Sequence, residues 1–463
     1  MRVWLMWGAC VLLIGDMPDT DPTMGFQIRA DTDSASVAIV TGDSLVGMRV
    51  GGEAVEDIYG SVRVTQDSTV LTAAQARRRV DRRMIHFTGQ VQMADRGDSL
   101  SADTLNYDEA RKVGQARSSV RLTDGDVIAY APVAEHFVDE KRSVFEEGVR
   151  LVDSTTVLTG QRGLYWSREK RAELADSVYM TSEELRLRAD SLTHLRDIGQ
   201  STARGRVWVE QAEGADTTLI TGQWVFHDQQ AKFSEVRGLP ILMQLQQDSL
   251  SIDTLVVAAD HMRLDDADDE TRRLHAAGRV QVWNHEFAAV ADSMAYRQAG
   301  SRQTALLLGE PTLWIDDTQV TGDTLQVLLI DGELDSLFAY GEAFVTQLDS
   351  ATGRLNQMKG RTLTGVSQQD SVLNFVLGPN AEVLYHLHSA EKGADGAMEV
   401  SGDQVLLRIE NGKLRRVKVV TGTKGSRYEE ESLPADLSLE GLQWQPEQRP
   451  VKEVLLTGFR RTP

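Results

Sequence analysis

Four short constellations in this chain have residue types and spacings that could do chemistry. Ser389-Ala390-Glu391-Lys392 has the S-x-x-K spacing in which a lysine can activate a serine, but it lies in a charged, Gly-rich loop. His386-Leu387-His388 puts two imidazoles on one face of a strand, with no third metal ligand nearby. Asp265-Asp266-Ala267-Asp268-Asp269-Glu270 offers the oxygen ligands that Ca²⁺ takes, and reads equally as a solvated hairpin turn. Arg77-Arg78-Arg79-Val80-Asp81-Arg82-Arg83 is the one strong basic cluster. Its guanidiniums suit phosphates on a lipid headgroup, and it too reads as a solvated turn. G-x-G-x-x-G, P-loop, G-x-S-x-G and H-E-x-x-H patterns are all missing. Carboxylates that could pair for glycoside hydrolysis fall mostly at turn positions. We therefore expect no catalytic residue, no metal and no cofactor.

Composition narrows the partners. The 463 residues are 41% hydrophobic and 25% charged, which is a folded composition and not a disordered one. The net charge of −20 argues against nucleic acid, which needs clustered cations to neutralise phosphates. The single cysteine, Cys10, sits in an N-terminal segment where Met1-Arg2 precedes an apolar run from Val3 to Ile14. That is the pattern of a secretory signal, too short for a stable membrane-spanning helix. Lipidation at Cys10 and a retained anchor are alternatives to cleavage. The expected location is thus an exported one.

The elements that must position any site come from a repeat. Short alternating runs open at Gly60, Gly89, Ser118, Gly148, Ser177 and Gly205, about 29 residues apart. They resume with looser spacing at Gly238, Gly278, Gly309, Gly341 and Gly378. Each opening run has one apolar and one polar face, the signature of a half-buried strand. A second strand signal begins with Ala or Gly, then Asp or Gln, as in Gly222-Gln223-Trp224-Val225-Phe226. A third and weaker strand precedes the next opening, as in Lys112 to Ala116. Helical periodicity of useful length is absent apart from a short piece around Ser182–Leu192, and even there Leu185-Arg186-Leu187-Arg188-Ala189 alternates like a strand. Stacked units of this size cannot bury their apolar faces singly. The predicted fold is all-β: an elongated stack of antiparallel strands built from about eleven units of 28–40 residues.

Domains follow from where the spacing changes. Residues 1–30 read as leader and linker, 36–235 as a regular array, 236–428 as a looser array, and 429–463 as a linker and docked cap.

The second strand signal carries a family resemblance. Ala102-Asp103-Thr104-Leu105-Asn106-Tyr107, followed by a Gly-containing strand and Val120-Arg121-Leu122-Thr123-Asp124, resembles the OstA/LptA-like family of lipopolysaccharide export. Ala291-Asp292-Ser293-Met294-Ala295-Tyr296 repeats the pattern, and Leu158 to Tyr165 is a degenerate copy. The resemblance covers roughly residues 36–425. It implies a twisted β-jellyroll whose apolar interior holds acyl chains in the periplasm of a diderm bacterium. It implies lipopolysaccharide as cargo and end-to-end strand pairing with other jellyroll proteins of the export machinery, or self-association. The chain is far longer than a minimal member of that family.

Under that resemblance the lining of an apolar groove would be Val62, Val64, Val91, Met93, Val120, Leu122, Val149, Leu151, Val207 and Val209. Arg77, Arg78, Arg79, Arg82 and Arg83 would be headgroup contacts. The same apolar residues would equally fill the solid core of a structural or adhesive β-solenoid without cargo.

Overall fold

The computed structural model describes residues 38–460 apart from 184, 215, 248–251, 269–270, 351, 369–371, 390–392 and 411–412. The predicted leader, with Cys10, lies outside the described residues.

Every strand pairing is antiparallel, and the 34 strands described form one continuous sheet. The N-terminal part is a meander. Glu53–Gln66 pairs with Thr69–Arg79, that with Met84–Asp95, and so on through Asp98–Asp108, Val113–Thr123 and Ile128–Phe137. The residues from 38 onward form one compact unit.

Each long strand bends at its middle. The register slips between Tyr59 and Val62, between Thr88 and Val91, between Arg117 and Val120, and between Arg204 and Val207. A bulge of this kind kinks a strand and increases its twist. Because neighbouring strands bend at the same level, the sheet folds over on itself into two half-sheets that meet at a corner. The repeat openings sit at this corner. Gly60, Gly89 and Gly205 take φ of 69°, 83° and 90°, followed or preceded by polar turn residues.

This corrects the reading of three strands per unit. The "opening" run and the weaker run before it are two halves of one strand, Val113–Thr123, hinged at Ser118 and Ser119. A unit is therefore two bent strands. The piece around Ser182–Leu192 is also strand, Leu185–Leu195, because its apolar residues alternate with period 2.

The Ala/Gly-Asp element forms the other side of the corner. The Asp43 amide donates to the Gly60 carbonyl at 2.9 Å, Asp260 to Gly278 at 2.9 Å, and Asp323 to Gly341 at 3.0 Å. The aspartate side chain lies against the glycine. A Cβ on Gly341 would meet Asp323 Oδ2 at 2.0 Å, and one on Gly205 would meet Asp190 Oδ2 at 2.2 Å. At Gly60, Gly205, Gly278, Gly309 and Gly341 the repeat's Gly and the motif's Asp are thus two halves of one joint.

Residues 429–460 run back along the outer face of the later strands. Leu439 packs on Phe344, Leu384 and Ala397. The Leu439 amide donates to Gln357 Oε1 at 2.8 Å, and Gln319 Nε2 donates to the Gln443 carbonyl at 2.6 Å. Arg449 reaches the Asp316 carbonyl at 2.8 Å, and Lys452 lies 4.8 Å from the Trp283 ring centre.

Candidate functional site

The two half-sheets enclose an apolar interior. Val62, Val64, Val91, Met93, Val120, Leu122, Val149, Leu151, Val207 and Val209 all point into it, none more than 8% exposed. They belong to one continuous cluster from Ala38 to Leu407. Each such side chain contributes about 1.5–3 kcal/mol by leaving water. In this state the interior is filled. The voids at its edge are about 20, 60 and 10 Å³. The largest of the three is walled by Leu242, Leu255, Leu264, Leu274 and Tyr296.

Opposite the corner, the ends of the two half-sheets come together along a seam. Hairpin turns at residues 66–69, 95–98 and 123–128 lie on one lip. Turns near residues 108–113, 137–142 and 166–171 lie on the other. Cations on the second lip cross to carboxylates on the first. Lys112 Nζ is 2.9 Å from Asp67. Lys141 Nζ is 2.7 Å from Asp95 and 3.1 Å from Asp98. Lys170 Nζ is 2.5 Å from Asp126, and Arg196 lies 3.4 Å from Asp126 and 4.0 Å from Asp153.

The local backbone explains why one residue per turn can reach across. Lys112, Lys141 and Lys170 take φ of 52°, 53° and 47°, the left-handed region. A side chain there costs about 1–2 kcal/mol relative to glycine, yet a lysine occupies the position in three successive turns. In the next turn Gly199 takes it, at φ 63°, and Arg196 supplies the cation.

Behind the cations runs a second, polar row. Tyr107, His136, Tyr165 and His194 end the inward-facing side of their strands, again 29 residues apart. The Tyr107 hydroxyl donates to Gln66 Oε1 at 2.7 Å and that of Tyr165 to Asp124 Oδ2 at 2.5 Å, both across the seam. His136 and His194 bond Ser143 and Ser201 at 2.9 and 3.0 Å. The Ala-Asp-x-Leu-x-Tyr element is now legible: Ala102 at the corner, Leu105 in mid-core and Tyr107 at the seam.

The electrostatics agree with a closed seam. Burial raises the Asp95 carboxyl, but the bonds from Lys141 and Ser68 outweigh it and hold it below the usual range. Lys170 lowers Asp126, and Asp126 raises Lys170 in return. The bond to Asp67 raises Lys112. Burial pushes His136 down to about 4, so it is neutral at physiological pH.

The basic cluster is largely neutralised. Arg77 pairs with Asp57 at 2.7 Å, Arg78 with Glu109 at 2.8 Å, and Arg82 with Glu53. Arg79 and Arg83 make no ion pair among the described residues. His386 and His388 do not form a site: a register shift separates them, His386 being buried and His388 exposed. Lys392 and residues 269–270 lie outside the described residues. No cluster able to hold a metal occurs among the described residues.

The seam is what sequence reasoning missed. A signal was present: Lys112, Lys141 and Lys170 recur at 29-residue intervals. Their partners lie 43–46 residues upstream, about one and a half repeats, so no local pattern links the two.

Comparison with known proteins bears on one part of the chain. Residues 35–190 match the family model described as "OstA-like protein". No curated protein matches the chain. Among solved structures, one similar chain is LptH from Pseudomonas aeruginosa, described as the LptA-homologous periplasmic component of the lipopolysaccharide transport device. It is 16% identical, with 32% of this chain and 96% of that chain covered, at a TM-score of 0.18.

Proposed function

With residues 35–190 OstA-like, we propose that this chain is a non-enzymatic carrier that shields the acyl chains of lipopolysaccharide between two membranes. The reading is that of a periplasmic protein serving outer-membrane assembly. The observation that carries it is the continuous apolar interior running behind one lengthwise seam. Every buried methylene is worth about 0.8 kcal/mol. A distributed trough of valines and leucines therefore suits a long aliphatic cargo better than a small polar one. Within this reading the groove lining is Val62, Val64, Val91, Met93, Val120, Leu122, Val149, Leu151, Val207 and Val209. Arg79 and Arg83 remain the members of the basic cluster available to a headgroup.

The two ends of the stack support a directional assembly. At the N-terminal end, Ser44–Val50 pairs among the described residues on one side only, with Glu53–Tyr59. Its Leu45, Val46, Met48 and Val50 are 54, 48, 40 and 57% exposed. An unguarded apolar edge invites another strand. At the other end, Lys413–Val420 pairs among the described residues only with Gln404–Glu410 and carries Arg415, Arg416 and Lys418, the charges that blunt an edge. We infer that a related jellyroll, or a second copy, adds to the N-terminal edge.

A filled interior of this kind also fits a structural β-stack without cargo. One measurement separates the two. Purified protein is incubated with lipopolysaccharide micelles, re-isolated, and its bound fatty acids are quantified by mass spectrometry. About one lipid or more per chain supports the carrier. A folded protein that retains none is a structural stack.

A further inference from the structure

Resting on the carrier reading above, we propose that the lysine-bearing seam is at once the side entrance for acyl chains and the binding site for an anionic headgroup. Asp67, Asp95, Asp98 and Asp126 occupy the places that phosphate oxygens take when the seam parts.

Three independent observations carry this. The first is geometric. Along the length of the stack the two half-sheets meet at the corner and at the seam. The corner is held by paired backbone and by Asp–Gly joints that leave no room even for a Cβ. The seam is held by side chains: Lys112–Asp67, Lys141–Asp95 and Asp98, Lys170–Asp126. Side-chain pairs can part without breaking a strand ladder, whereas the corner cannot open without losing it.

The second is chemical. Three ammonium groups line one lip in file. When a lip moves, each lysine loses a carboxylate and needs another anion, because a stranded partly buried ammonium is costly. A phosphorylated headgroup supplies that anion, while its acyl chains fall on the apolar side of the same seam. The swap keeps an anion beside each lysine, and the freed aspartates turn to water as the lips part.

The third is the position of the voids. The 20 Å³ void is bounded by Val127, Leu151, Leu158 and Ala172 together with Lys170 and Arg196. The 60 Å³ void opens where Gln244 meets Gln298 across the seam at 3.3 Å. Packing behind the lips is thus incomplete.

The test uses the full mature chain with cysteines at positions 67 and 112 and, separately, at 126 and 170. A reducible bis-maleimide joins each pair across the seam. Lipopolysaccharide uptake should fall at least tenfold in the joined protein and recover on reduction. In a second arm, Asp126→Asn should speed uptake severalfold and Lys112→Glu/Lys170→Glu should slow it. That charge reversal should lose its effect when the lipid is dephosphorylated. Inorganic phosphate, the control anion, should not compete at equal concentration.

Uptake that continues unchanged in the joined protein overturns the seam as entrance while leaving the carrier reading intact. Charge reversal that slows phosphorylated and dephosphorylated lipid alike, or full competition by inorganic phosphate, overturns the headgroup site. A folded, unjoined protein that takes no lipid overturns both the seam and the carrier.

Discussion

Lys141 and Asp95 stand on opposite lips of the folded sheet, 46 residues apart in sequence, with Nζ and Oδ2 2.7 Å apart. Their side chains are 8% and 3% exposed. Lys141 also donates to the Asp95 carbonyl at 2.7 Å, so the pair ties one half-sheet to the turn of the other. An ion pair on the outside of the sheet such as Arg162 with Asp176, with side chains 65% and 53% exposed, contributes little by comparison.

That difference in burial predicts a difference in stability. Lys141→Met leaves Asp95 and Asp98 buried without a cation and should cost about 3–5 kcal/mol. Lys170→Met, at an exposed rung, should cost much less. Urea titrations of the two variants check this. Equal midpoints would show that Lys141 does not brace the seam.

The corner predicts a second contrast. Gly341→Ala places a methyl on Asp323 at a left-handed φ of 73°. Gly300→Ala has a similar φ of 58° but open space around it. The latter should lose only the backbone term, about 1 kcal/mol. Gly341→Ala should lose at least twice as much. Thermal denaturation of both proteins measures the gap.

Stability should depend on pH in a way set by the seam. Asp95 and Asp126 titrate below their ordinary 3.8, so their contribution is present above about pH 4–5 and fades as pH falls through the lowered values. Lys112 and Lys170 titrate above their ordinary 10.5, so theirs is present below about pH 10 and fades as pH rises through the raised values. His136 sharpens the acid side. It stays neutral down to about 4 when folded but takes a proton near 6.5 when unfolded. Stability should fall across that window by up to roughly 3 kcal/mol. Chemical denaturation at pH 4.5, 6 and 8 tests this, and His136→Gln should flatten the slope between the first two.

The C-terminal strap predicts an aggregation phenotype. Arg354 bonds Glu430 at 2.8 and 2.6 Å and holds its carboxyl down at about 2. Ending the chain after Tyr428 would strip the cover from Phe344, Leu384 and Ala397. The shortened protein should bind a hydrophobic dye several-fold more strongly and self-associate. Unchanged dye binding would mean that the strap covers nothing of consequence.

The association edge is tested at Val46. Val46→Lys adds a charge to an exposed edge strand without touching the core. Any concentration-dependent end-to-end association seen by sedimentation should disappear, with the melting temperature unchanged.

Strand identity, the apolar inward face and the repeat length were legible in the residues, because period 2 and recurring Gly are local properties. So was the Ala102-to-Tyr107 element, though not what it did. That Gly60 marks a mid-strand corner and not a strand start is invisible in a window of ten residues. It follows only once the two flanking runs share one pair of neighbours. The basic cluster looked like the anion site because its arginines are adjacent in sequence. Tertiary structure gave Arg77, Arg78 and Arg82 carboxylate partners from neighbouring strands and hairpin turns, and brought the scattered lysines into file instead. Alternation along a strand is dictated by backbone geometry and survives in the bare sequence. Pairing across a seam depends on where a sheet folds over, which no short stretch of residues records.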